Sequence, residues 1–330
     1  MREFGYQRAY DVSGAVALLD GDGEARFLGG GTNLVDLMKT GVERPARLVD
    51  VRELPLNRVE PAEDGGLRIG ATVTNSDLAA HPEVRRRYLA LAQAVLAGAS
   101  GQLRNMATVG GNLLQRTRCG YFADVSSPCN KRDPGSGCPA ITGEHHNHAV
   151  LGASDHCVAT HPSDMGVALA AFDASVSYET AAGPGELPLA DFYLPVGETP
   201  HRETALPPGA LITGVTLPPT ATAAHSRYRK VRERASYAFA IGSVAAALDV
   251  RDGLVHDVRL AFGAVASRPW RARAAERALT GGPAGAEHFA AAADAELAAA
   301  RPLPHNGYKV TLMRNLVVAV LSELAEEAAR

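Results

Sequence analysis

The chain has 330 residues and a mass of 34.5 kDa, enough for two domains or three. Hydrophobic residues make up 46% and charged residues 21%, which excludes extensive disorder. A net charge of −3 and a pI near 6.4 argue against a broad basic face for nucleic acid.

The N-terminal stretch MREFGYQRAYDVSGAVALL has neither the apolar core of a signal peptide nor a twin arginine. No window reaches the roughly 20 apolar residues that a membrane span needs. The expected location is the cytoplasm, or the periplasm if the chain is exported folded with a signal-bearing partner.

Residues 1–57 read as a small α/β unit. A helix capped at Asp11 is predicted over residues 11–19, with Val12, Val16 and Leu19 on one face. Residues 25–28 and 47–51 read as short strands. Between them the chain runs through Gly29-Gly30-Gly31-Thr32-Asn33 into residues 34–39. Beyond a turn at Gly65-Gly66, residues 67–71 alternate as a strand. Residues 75–80 begin a helix, and residues 88–99 are helical by their Ala and Leu content. A second glycine turn follows, Thr108-Val109-Gly110-Gly111-Asn112. Residues 115–160 show no period, and so long an irregular stretch inside a compact domain points to a function. Residues 163–172 read as a helix and 175–179 as a strand. Residues 181–224 are loop-rich and proline-punctuated, with one strand over 211–217. The Thr/Ala/Pro run 218–224 marks a domain boundary. Strands over 227–232 and 241–250 lead to a hairpin turn at Asp252-Gly253. Val258, Leu260, Phe262 and Ala264 then alternate with less apolar neighbours, predicting a strand with one buried face. Two or three helices complete the chain.

All four cysteines, Cys119, Cys129, Cys138 and Cys157, lie in one window of 39 residues. Scattered buried thiols would not cluster so. Two disulfides fit the even count but not the missing export signal. Structural zinc sites usually show short Cys or His pairs, whereas here nine, eight and eighteen residues separate successive cysteines. His145, His146, His148, His156 and His161 nonetheless keep mixed Cys/His zinc open. Four thiolates also suit an iron–sulfur cluster, although the ferredoxin C-x2-C-x2-C run is absent. Spacing does not choose between zinc and iron–sulfur.

The two glycine turns carry different chemistry. Glycine lets backbone N–H groups approach an anion closely, as a pyrophosphate cradle requires. Neither turn is G-x-G-x-x-G or a P-loop, and each alone suits a tight structural turn. Two together make a shared phosphate ligand the stronger reading. In His161-Pro162-Ser163-Asp164-Met165, Ser163 or Asp164 is placed to cap a helix.

The segments 28-LGGGTNLVDLMK-39, 104-RNMATVGGN-112, 161-HPSDM-165 and 228-YRKVRERASYAFA-240 resemble the flavin-binding subunits of the xanthine dehydrogenase and molybdenum hydroxylase family. The ordered set spans nearly the whole chain. The resemblance implies an α+β fold: a PCMH-type FAD-binding fold of two α/β subdomains, then an antiparallel sheet with helices like the CO dehydrogenase flavoprotein C-terminal domain. The implied boundaries are 1–57, 58–222 with an insertion at about 115–160, and 223–330. The runs 118-RCGYF-122, 128-PCNKRDPGSGCPA-140 and 156-HCVATHPSDM-165 are further similar to flavin subunits of bacterial periplasmic aldehyde oxidoreductases. That likeness implies that Cys119, Cys129, Cys138 and Cys157 ligate a [4Fe–4S] cluster.

Carried over by residue, Leu28, Gly29, Gly30, Gly31, Thr32, Asn33 and Leu34 would cradle the FAD pyrophosphate. Thr108, Gly110, Gly111 and Asn112 would form the second wall. Asp164 would hold the adenosine side, and Lys230 would lie near the flavin end. The expected function is electron transfer in an aldehyde oxidoreductase heterotrimer. Electrons would pass from [2Fe–2S] clusters of a small subunit to FAD and then to an external acceptor. Substrate oxidation would occur in a molybdenum-cofactor large subunit, so no catalytic residue is expected in this chain. The alternative is a stand-alone flavin oxidoreductase with a structural zinc loop. Because the cysteine stretch is inserted between two FAD loops, its ends are expected at the edge of the FAD site.

Overall fold

The computed structural model describes residues 1–329. Three sheets organise it. The first is parallel, with Arg47–Asp50 between Gly5–Arg8 and Ala25–Leu28. Gly5–Arg8 has no buried residue, so its sequence lacks the apolar alternation by which a strand is recognised. Asp11 caps the helix Val12–Leu19 by accepting from the Gly14 N–H at 2.6 Å. Ala15, Val16 and Leu19 are the buried residues of that helix, and Val12 is only partly buried.

The second sheet has five antiparallel strands in the order Val59–Pro61, Leu67–Gly70, Leu211–Leu217, Ser175–Thr180 and Gly183–Pro188. The last lies inside a stretch expected to be loop. Its two prolines are compatible because it is an edge strand, where missing N–H donors break no central ladder. The helix Asn75–Ala80 forms as expected, while the expected 88–99 helix is shorter, Leu89–Ala97.

The third sheet orders Trp270–Arg271, Leu254–Gly263, Gly242–Arg251 and Ser226–Val231, all antiparallel. Asp252 and Gly253 both have positive φ, 51° and 75°, as a type I′ hairpin requires. The single buried face expected here does not hold. Val244, Ala246, Leu260 and Phe262 pack with the helices Arg273–Leu279, Ala286–Leu297 and Tyr308–Ala328. Ala245, Ala247 and Ala261 pack into the other core with the helices Leu89–Ala97 and Asp164–Ala171. The sheet is covered on both faces, and the small alanines on one face admit the helices closely.

The cysteine stretch contains only the short helices Gly120–Ala123 and Pro139–Ile141. Polar side chains order it. Asn130 bonds His156 O and the Gly137 N–H, Arg132 donates to the carbonyls of Tyr121, Phe122 and Ser127, and Thr117 donates to Thr160 O. One edge joins the segment that follows the third sheet's Leu254–Gly263 strand, where Val150 and Leu151 N–H both reach Val265 O at 2.9 Å.

Candidate cofactor and cluster site

The two glycine turns touch. A Cβ on Gly30 would stand 1.7 Å from Met106 O, and one on Gly29 would stand 2.8 Å from Thr108 Oγ1. Gly31 has φ +73°, the left-handed conformation that favours glycine. Among the described residues, none accepts a hydrogen bond from the backbone N–H groups of Gly29 through Leu34. The Asn33 side-chain nitrogen is also buried and unpartnered. Buried donors in folded proteins almost always find an acceptor, so this concentration of free donors suits a bound anion.

Two cavities meet at these turns. One of about 730 Å³ is lined by Gly29–Leu34, Thr108 and Gly111, with Leu19–Gly23 and Pro208–Ala210 at its rim. The other, of about 320 Å³, is lined by Thr32, Asn33, Gly111, Asn112, Asp164 and Lys230, and also by Arg118, Arg234, Tyr237 and Phe239. The expected site residues therefore converge, with two exceptions. Leu28 lines neither cavity, and Gly110 sits beneath the second turn. A Cβ on Gly110 would be 3.2 Å from that of Ala71, and its N–H bonds Ala71 O.

Asp164 and Lys230 require a correction. Expected at opposite ends of the cofactor, they form a buried ion pair, with Lys230 Nζ 2.8 Å from Asp164 Oδ2. Tyr228 Oη donates to Asp164 Oδ1 at 2.5 Å, and burial pushes its own ionisation up. Both residues stand at one end of the site. Ser163, not Asp164, caps the helix Asp164–Ala171, accepting from Gly166 N–H. Ser163 also donates to Asn112 Oδ1 at 2.7 Å, which ties the third polar turn to the second.

Arg118, Tyr237 and Phe239 were not singled out from the sequence. The Arg118 guanidinium stacks 4.6 Å from the Phe239 ring centroid, and burial lowers its pKa. Their signal was adjacency: Arg118 precedes Cys119, and Tyr237 and Phe239 follow Lys230 on the hairpin arm.

The cysteine stretch sits against the first glycine turn. Arg116 N–H donates to Asn33 Oδ1 at 2.9 Å. Leu37, on the helix that follows the turn, packs with Phe122, Cys119 and Cys129. Cys119 also packs against the group formed by Cys157, Ala159 and Val196. The neighbouring thiols of Cys138 and Cys157 interact, so the first proton leaves the pair below the ordinary thiol range while the second is held more tightly. All four cysteines are free of disulfides. Among the described residues, no three Cys, His, Asp or Glu side chains form a group that could hold a metal ion.

Around them lies a buried charge network. Glu203 pairs with Lys131 at 2.8 Å and with Arg116 at 3.2 Å, and Arg116 reaches Glu43 at 2.6 Å. Burial alone would raise the Glu203 carboxyl, but these two cations hold it below the usual carboxylate range. His148 Nε2 lies 3.2 Å from Cys119 Sγ, and burial keeps its ring neutral, pushing the pKa down to about 4.

Comparison with known proteins bears on this arrangement. The model of the FAD binding domain in molybdopterin dehydrogenase matches residues 2–220, and that of the CO dehydrogenase flavoprotein C-terminal domain matches residues 226–324. The chain is 50% identical to the aldehyde oxidoreductase FAD-binding subunit PaoB of Escherichia coli K12 over 329 residues, covering 99% of this chain and 100% of that one. It is 26% identical to the glyceraldehyde dehydrogenase medium chain of Sulfolobus acidocaldarius, over 84% of this chain and 82% of that one. Among solved structures, quinoline 2-oxidoreductase from Pseudomonas putida 86 shares the fold with a TM-score of 0.77 at 23% identity, over 100% of this chain and 99% of that one. Carbon monoxide dehydrogenase of Hydrogenophaga pseudoflava superposes with a TM-score of 0.76 at 25% identity, over 99% and 98%. Among the described residues, no helix is long and apolar enough to cross a membrane.

Proposed function

This chain belongs to the FAD-binding subunits of the molybdenum hydroxylase family, and from that membership we propose that it binds FAD and a [4Fe–4S] cluster as the electron-transfer subunit of an aldehyde-oxidising complex. Its partners would be a molybdenum-cofactor subunit and a [2Fe–2S] subunit. Its place is between the latter and an external acceptor. The aldehyde class follows the name of the 50% identical relative.

The observation that carries the reading is the contact between the glycine turn and the thiols, made through Leu37 and through Asn33 with Arg116. Bound FAD and an iron–sulfur group supply the electron-carrying chemistry. The protein supplies position. Backbone N–H groups of Gly29–Leu34 and the free Asn33 amide would meet the pyrophosphate, with Thr108, Gly111 and Asn112 closing the opposite wall. Asp164 and Lys230, fixed by Tyr228, would present a rigid polar end wall to one half of the cofactor. Cys119, Cys129, Cys138 and Cys157 would each give one thiolate.

The test is flavin, iron, acid-labile sulfide and zinc quantitation on the purified protein. About one FAD with about four irons and four sulfides per chain supports the reading. Zinc without sulfide overturns the cluster, and a colourless chain overturns the flavin role as well.

A further inference from the structure

We propose that His148 is a positioning residue for the iron–sulfur group: its Nε2–H donates a hydrogen bond to Cys119 Sγ and thereby raises the group's reduction potential. The inference rests on the cluster reading above.

The geometry comes first. Nε2 stands 3.2 Å from Cys119 Sγ, while the other ring nitrogen, Nδ1, is buried without a partner. A metal-bound thiolate can only accept. A hydrogen bond between these atoms therefore requires the ring proton to be on Nε2, leaving Nδ1 as the bare nitrogen. A donor at a cluster sulfur withdraws electron density and stabilises the more negative, reduced state, and hydrogen bonds to the sulfurs are among the determinants of cluster potential.

The ring is held from outside the cysteine stretch. The His148 N–H bonds His145 O at 3.0 Å, closing a turn. Asn306, which is fully buried, donates to His148 O and Ala149 O at 3.4 and 3.2 Å. Lys309, also fully buried, donates from Nζ to Asn147 O at 2.9 Å and to Ala264 O at 2.8 Å. His145 stacks on His305 with ring centroids 4.9 Å apart. Thus the start of the helix Tyr308–Ala328 and the segment before it fix the turn that aims His148 at Cys119. The third sheet and its helices take part in the cluster environment although they contribute no cysteine.

The experiment is an EPR-monitored redox titration of the purified holoprotein, with iron and sulfide content measured on the same samples. His148→Leu is expected to keep its iron and flavin and to titrate at a more negative potential. His148→Gln, whose amide can donate from nearly the same place, is expected to recover most of the shift. An unchanged potential in an iron-replete His148→Leu protein overturns the proposal. As a check that needs no folded variant, histidine labelled with 15N should give a hyperfine coupling to the reduced cluster in the unsubstituted protein. Absence of that coupling also overturns it. Absence of iron and sulfide from the unsubstituted protein is a different result, which removes the cluster reading itself.

Discussion

Lys230 Nζ lies 2.8 Å from Asp164 Oδ2, with the two side chains only 4% and 9% exposed. They come from different elements of one layer pair: Asp164 opens a helix packed on the third sheet, and Lys230 lies in that sheet's edge strand. The pair closes one end of the smaller cavity and clamps the two halves of the site together.

Removing one partner of a buried ion pair leaves an uncompensated charge, at about 3–5 kcal/mol. Lys230→Met is therefore expected to lower unfolding stability by that order, and Asp164→Asn in the Lys230→Met background is expected to recover part of it. Urea unfolding monitored by circular dichroism measures both. A Lys230→Met loss below about 1 kcal/mol would mean that the pair behaves as an exposed one.

At Gly30 the obstacle to a side chain is a backbone carbonyl, Met106 O, at 1.7 Å, which cannot swing aside. Gly30→Ala must push the two turns apart. FAD retained per chain is expected to fall at least tenfold (roughly 1.4 kcal/mol or more in binding). Gly285→Ala, which meets nothing within 4 Å and lines neither cavity, is expected to retain its flavin. Equal flavin content in both variants would show that the turns do not form the cradle.

Cys129 packs with Leu37, Phe122 and Cys119 and lines neither cavity at the glycine turns. Cys129→Ser is expected to abolish the iron–sulfur absorption and EPR signals and leave most of the FAD. Full iron retention would show that Cys129 is not a ligand.

Lys309 has only carbonyl acceptors, and burial pushes its ammonium down to about 7 from the ordinary 10.5. Between those values the unfolded chain holds a proton that the folded chain has released, so this group makes stability rise with pH across the window. Below about pH 7 both states are protonated and the folded state bears the whole penalty. Lys309→Met removes the titration. Its stability relative to the parent is expected to be most favourable below about pH 7 and to decline as pH rises, by at most about 1.4 kcal/mol per unit. Paired urea melts at about pH 6.5 and about pH 9 measure the difference, and a pH-independent one would refute the assignment.

Much of the site was legible in the chain because its requirements are local. A glycine turn needs glycines at consecutive positions, and Gly29–Gly31 and Gly110–Gly111 announce themselves. The hairpin at Asp252-Gly253 and the Asp11 cap are local in the same sense. The edge strands Gly5–Arg8 and Gly183–Pro188 were not legible, because exposed or proline-bearing strands take their pairing from neighbours and carry no apolar alternation of their own. Arg118 and Phe239 were missed for a related reason: their stacking joins residues 121 apart, and neither type is distinctive alone.

The sequence by itself determined which groups are available: two glycine turns, four thiols in one window, and motifs that identify the family. Only the tertiary structure decided who meets whom. It joined Asp164 to Lys230, moved Gly110 from the site wall to the packing beneath it, covered both faces of the last sheet, and brought His148 to Cys119. Backbone conformation is governed by steric limits acting over a few residues and can be read along the chain. Ion pairs, stacked rings and thiol neighbours depend on long-range packing, whose geometry is set by how whole sheets and helices bury one another.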